Sequence, residues 1–105
     1  MGINNSQIAL PAPELIATMT GSNVLIGTLI HAPTIIIFDN QSDVSVVISI
    51  GTVQWKTFPA GEALVLDLRA AHGLAANYTF SEGTSFFGNG ASGDFSISYL
   101  YAQNM

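Results

Sequence analysis

The apolar runs between residues 34 and 69, TIIIFDNQSDVSVVISIGTVQWKTFPAGEALVLDLR, limit what this chain can fold into. Ile35, Ile36, Ile37 and Phe38 form a continuous β-branched and aromatic run, the pattern of a strand buried on both faces. Asp39 to Asp43 break it with side chains suited to turns. Val44 to Ile50 then alternates, with Val44, Val46, Ile48 and Ile50 on one face and Ser45, Val47 and Ser49 on the other. A period of two means strand. Val53 to Phe58 alternates again after Gly51-Thr52. Beyond Pro59-Ala60-Gly61, Leu64, Leu66 and Leu68 share one side. Links this short cannot hold parallel crossovers, so these segments are expected to be neighbouring antiparallel strands.

The flanking chain continues the pattern. Met1 to Ser6 is a polar end. Gln7 to Leu10 suits a short strand, and Pro11 and Pro13 interrupt it. Glu14 to Met19 fits either one helical turn started by Pro13 or an extended arm. That arm would grip a neighbouring subunit or fold back on its own sandwich. Ser22 to His31 reads as a strand with a bulge or close approach at Gly27. Asp67 suits the cap of a helical turn over Leu68 to His72, stopped by Gly73. Asn77 to Ser81 and Ser85 to Phe87 read as short strands around the Glu82-Gly83 turn. Asp94 to Ala102 is the last strand, with Phe95, Ile97, Tyr99 and Tyr101 on one face. Strand signals about every ten residues predict an all-β fold: an antiparallel β-sandwich, jelly-roll-like, of seven to nine short strands. The expected organisation is an N-terminal arm, residues 1–21, and one sandwich domain, residues 22–105.

Composition points toward assembly. Of 105 residues, 49% are hydrophobic and 9% charged, against about 25% charged in an ordinary soluble domain. Lys56 and Arg69 are the two basic residues. So few charges leave much of the exterior without a hydrated coat, which implies an obligate homo-oligomer or a place in a larger assembly. Two cations and a net charge of −5 exclude binding along nucleic-acid phosphates and disfavour an anionic membrane surface. With no cysteine there is no disulfide framework, thiol nucleophile or zinc–thiolate site. The first ten residues carry no positive charge, unlike a signal peptide. Val24 to Ile30, punctuated by Gly27 and Thr28, falls far short of the ~20 residues of a membrane helix. Met1 to Ser6 matches the loose myristoylation pattern, but nothing basic supports it.

The short motifs favour ordinary roles. Gly88-Asn89-Gly90-Ala91-Ser92-Gly93 matches G-x-G-x-x-G, yet a strand follows where a dinucleotide site needs a helix N-terminus. It reads as a hairpin loop with positive φ. Asn4, Asn40 and Asn77 open sequons that serve better as turn and edge residues, and Asn40 suits an Asx turn. His31 and His72 lack neighbouring ligands, and a metal site needs three or four. The seven acids lie in or beside turns and form no paired acid–base site. Asp39 and Asp43 with a loop carbonyl are the calcium alternative. Trp55, on the face of Val53 and Thr57, reads as a core residue before a sugar platform or interface anchor. Of Phe86 and Phe87, one faces the core and the other outward. No enzyme, metal or cofactor is expected.

Asn40-Gln41-Ser42, Val47-Ile48-Ser49, Pro59-Ala60-Gly61-Glu62 and Gly93 to Tyr99 together resemble small structural proteins of tailed bacteriophages. The resemblance covers residues 22–102. It implies a non-enzymatic viral structural protein in the virion, assembled in the host cytoplasm: a capsid cement or decoration protein, or alternatively a head–tail connector or tail subunit. Its implied partners are itself, as a trimer or ring, and the phage capsid or other virion proteins. The candidate interface residues are Ile8, Leu10, Leu15, Ile16, Met19, Trp55 and Phe86. A carbohydrate-binding module stacking sugar on Trp55, Tyr99 or Tyr101 is the alternative of another class.

Overall fold

The computed structural model describes residues 7–68 and 80–104, and the side chains of 10–68 and 80–102. Nine strands are described: β1 (Gln7–Pro11), β2 (Leu15–Thr18), β3 (Val24–Thr28), β4 (Pro33–Asn40), β5 (Val46–Ile50), β6 (Val53–Phe58), β7 (Ala63–Asp67), β8 (Ser85–Asn89) and β9 (Asp94–Asn104). Two antiparallel sheets pack face to face. Sheet A has the order β1-β9-β4-β7, with β2 also on β9, and sheet B has the order β3-β8-β5-β6.

The order follows a simple rule. β1 and β2 lie end to end along one edge of β9 and act as one interrupted strand. Counting them as one, the first strand pairs with the last, β3 with β8, β4 with β7 and β5 with β6, alternating between the sheets. A long antiparallel ribbon has been wrapped across two layers, which is the jelly-roll form of a sandwich. The β4–β9 and β5–β8 pairings close the wrap.

This corrects part of the strand-neighbour expectation. β5 and β6 do form a hairpin through Gly51-Thr52. β4 and β5, and β6 and β7, lie in different sheets although their links are just as short. A link of a few residues bridges two layers about 10 Å apart as readily as it reverses within one. The same holds for Gly90 to Gly93, which crosses from β8 in sheet B to β9 in sheet A and is no hairpin. Gly93 has a positive φ of 83°. Gly90 is there for space: a Cβ on it would lie 2.8 Å from Val46 Cγ2.

The core lies between the sheets. Ile36 and Phe38 from β4, Val46 and Ile48 from β5, Phe58 from β6, Phe86 from β8 and Phe95, Ile97 and Tyr99 from β9 are all buried in it. Phe38 is the hub of the aromatic packing, with ring centroids of Trp55, Phe86 and Phe58 at 5.0, 5.4 and 5.9 Å. Trp55 faces these rings because a register shift beside Ile48 and Ser49 breaks the alternation of β6. Simple parity would have placed it with the exposed Val53 and Thr57. Tyr99 accepts a hydrogen bond from Ile30 N at 3.1 Å through its hydroxyl, which satisfies that buried polar tip.

Residues 15–18 are strand, not helix, so the helical-turn option for Glu14 to Met19 is overturned. The edge backbone of β9 captures this segment and recruits it to sheet A. β2 also touches sheet B at Gly27, where a Cβ would sit 2.7 Å from Leu15 Cδ2. Gly27→Ala is expected to destabilise by about 1–2 kcal/mol, read as a lower urea midpoint, because the obstructing leucine tip can swing aside. The proposed turn from Leu68 to His72 and the strand from Asn77 lie largely outside the described residues.

Candidate interaction surface

Sheet B covers only the inner face of sheet A. The outer face therefore shows which side chains the alternation directs to solvent. From β4 these are Ile35, Ile37 and Asp39, and from β7 Ala63, Val65 and Asp67. β9 contributes Ser96, Ser98 and Leu100, of which Ser96 is itself buried and bonded by Gln41, and the β1–β2 edge Pro11 and Ile16. The registers align them in rows: Val65–Ile37–Ser98 and Asp67–Ile35–Leu100–Pro11. The continuous run Ile35 to Phe38 was expected to be buried on both faces. Its inner residues Ile36 and Phe38 are fully buried, but Ile37 is 38% exposed and Val65 beside it 59%. β4 has a strand on each side but, among the described residues, no layer above it.

The centre of this face is a groove of about 330 Å³ lined by Pro11, Ala12, Ile35, Ile37, Ser98 and Leu100. Pro11 fits the edge strand without loss. Ala12 N donates to Tyr99 O at 3.0 Å, so Pro11, one residue earlier, occupies a pair where no ladder hydrogen bond is required. Most of the polar groups gather at one end, with Asp67 at the other. Thr18 Oγ1 donates to Asp94 Oδ1 at 2.7 Å, and Gln41 Nε2 reaches Ser96 Oγ at 3.1 Å and Asp39 Oδ2 at 3.4 Å. Among the described residues no lysine or arginine lies on this face. Lys56 is on β6 in sheet B, 3.6 Å from Glu62 Oε1 and with its Nζ 5.1 Å from the Phe58 ring centroid.

The candidate interface residues divide. Met19 and Phe86 are 3% and 0% exposed in the chain's own core and present nothing to a partner. The even spacing of β8 fits either phenylalanine inward; the structure turns Phe86 in and leaves Phe87 half-buried on the outer face of sheet B. Leu15 packs against the core, and Trp55 turns to Phe38, Phe58 and Phe80. Ile16, 49% exposed, stays on the outer face of sheet A, and Leu10 is half-buried at its edge. The side chain of Ile8 lies outside the described residues. Sequence reasoning missed Ile37, Val65, Leu100 and Pro11. The signal was present in β4: apolar residues of both parities in a strand whose sheet has a partner layer on one side only.

Other candidate sites do not assemble. Tyr99 is buried, and one ring face of Tyr101 is covered by His31, stacked at 3.7 Å and 10°. Asn40, the middle sequon, is fully buried and hydrogen-bonded through its side chain. No group of three or more histidine or acidic side chains converges among the described residues. Comparison with protein families, with characterised proteins and with solved structures finds no match.

Proposed function

We propose that this chain is a non-enzymatic structural subunit that works by assembly, with the outer face of sheet A as its principal contact. The observation that carries this is the uncovered apolar field of Ile35, Ile37, Val65, Leu100 and Pro11, free of cations among the described residues and placed on a chain that is 9% charged. Burial of such a face is driven by about 25 cal/mol per Å² of apolar area, less the cost of association. The resemblance of residues 22–102 to small phage structural proteins supports a finer reading: a capsid cement or decoration protein of a phage head. Repetition over a symmetric shell would multiply a modest contact into firm attachment.

Ile37→Asp combined with Val65→Asp is expected to weaken self-association at least about 100-fold, read by sedimentation velocity, with the β-sheet circular dichroism unchanged because both side chains already face solvent. A wild-type chain that sediments as a monomer at micromolar concentration would remove the basis of the reading. For the finer reading, tagged chain should co-sediment with phage heads. Heads and tails that never carry it would defeat the virion role.

A further inference from the structure

β1 is an edge strand whose one sheet neighbour is β9, over Leu100–Asn104, and it runs on past the end of the next strand in its sheet. β4 reaches β9 only as far as Tyr101. Ala102 to Asn104 therefore have β1 as their only described strand partner, and together the two segments make a two-stranded ribbon beyond the four-strand width of the sheet. Such ribbons are marginal in water on their own. The joint to β2 is also distinctive. Between the pairs Pro11–Leu100 and Leu15–Ile97, the first strand inserts Ala12, Pro13 and Glu14 against Ser98 and Tyr99. The extra residue is a bulge, and Pro13 holds Ala12 extended. The bulge separates β1 from β2, and the described side chains of β1, half-buried Leu10 and exposed Pro11, are not among the fully buried residues of the core.

We propose that β1 is an exchangeable strand: it pairs with β9 of a second copy of this chain, in the register seen within one copy, with Ala12 to Glu14 as the hinge. This rests on the reading of the chain as a homo-oligomer. Exchange conserves every β1–β9 contact, so its balance is set by concentration and by whatever else the copies bury. The sheet itself argues that something more is needed. Four strand spacings by seven residues give an outer face of roughly 450 Å², about half the ~800 Å² per partner of a standard interface. Exchanged strands would supply the remainder and fix which copies are neighbours.

The chain has no cysteine, so single thiols report cleanly. Ala9 pairs with Ala102. Since Ala12 N bonds Tyr99 O in the same register, this is a non-hydrogen-bonded pair, with Cα atoms about 4.5 Å apart and within disulfide range. The Ala9→Cys and Ala102→Cys variants are co-refolded at equal concentration and oxidised with glutathione disulfide. The mixed disulfide is expected about tenfold above that from Ala9→Cys with Ala63→Cys, which lies on the opposite edge. Ala9→Cys/Ala102→Cys in one dilute chain should close internally, which verifies the pair. Failure of that closure overturns the register and the proposal with it. Internal closure without mixed disulfide, from a wild-type chain that sediments as an oligomer, overturns exchange and leaves assembly standing. A monomeric wild type removes both.

Discussion

Asn40→Asp is expected to cost about 4 kcal/mol at pH 7, a large part of the 5–15 kcal/mol that holds a small domain together. Asn40 ends β4 fully buried. Its Nδ2 faces Val44 O, Phe58 O and Pro59 O at 2.9, 3.1 and 3.0 Å. Its Oδ1 accepts from Ser42 N at 3.0 Å and lies 2.6 Å from Ser42 Oγ. One side chain thus ties the β4–β5 link to the β6–β7 link, two of the arches that carry the chain between sheets. Backbone bonds run beside it, from Asn40 N to Glu62 O and from Gly61 N to Ser42 O. Aspartate would keep the acceptor half and turn a carboxylate oxygen toward three carbonyls. Burial and those carbonyls favour the neutral form, so the folded-state pKa of this aspartate would stand above its unfolded value near 4. The sign follows: the penalty is smallest below the unfolded pKa and grows as pH rises through the folded one. Urea unfolding of variant and wild type at pH 4 and pH 7 should show the gap widening with pH. Asn40→Ala, without a charge, should lose about 3 kcal/mol with a gap that does not change with pH. Equal behaviour of the two variants would show that the carbonyl cluster does not act as described.

That arch cluster also explains how far the sequence could be read. Periodicity identified β5, β7 and β9 and the inward faces of Ile48, Leu66, Phe95, Ile97 and Tyr99, because a strand with one buried face has only one sensible parity. The all-β sandwich followed from it. Asn40 was legible as an Asx turn, which Ser42 N confirms, but its three carbonyls come from residues up to 19 positions away and leave no local trace. Turn residues could not say whether a link reverses within a sheet or arches between sheets, since both need the same backbone freedom. Phe86 and Phe87 were indistinguishable by parity, and the bulge that turns Trp55 inward lies in β6 itself but shows only in its register against β5. Pro11 in β1 and Pro13 just after it hid a pairing that depends on β9, more than eighty residues later in the chain. For the interaction surface, the excess of apolar over charged residues was visible; which face carried it depended on the wrap.

Gly93→Ala is expected to destabilise by about 3 kcal/mol, two contributions adding: roughly 1 kcal/mol for placing a side chain at positive φ and about 2 kcal/mol for overpacking. Gly93 has φ of 83°, and a Cβ there would collide with Ser42 Cβ and come within 2.9 Å of Ser42 Cα. Neither atom is the free end of a flexible side chain. Ser42 is held by Asn40, and the Gly93 carbonyl in turn accepts from Met19 N at 2.7 Å, so the obstruction has nowhere to go. Gly51 and Gly61 provide the internal comparison. They have φ of 61° and 73° with open space around the position of a Cβ, so alanine at either should cost only the conformational part, about 1 kcal/mol. A difference of about 2 kcal/mol between Gly93→Ala and these two isolates the contact with Ser42. The double variant Gly93→Ala/Asn40→Ala extends the test. Once Asn40 no longer fixes the Ser42 loop, the loop can move away from the new methyl, and the combined loss should fall short of the sum by about 1 kcal/mol. Strict additivity in urea unfolding would mean that the loop is held by its backbone bonds alone and that Asn40 is not what makes it rigid.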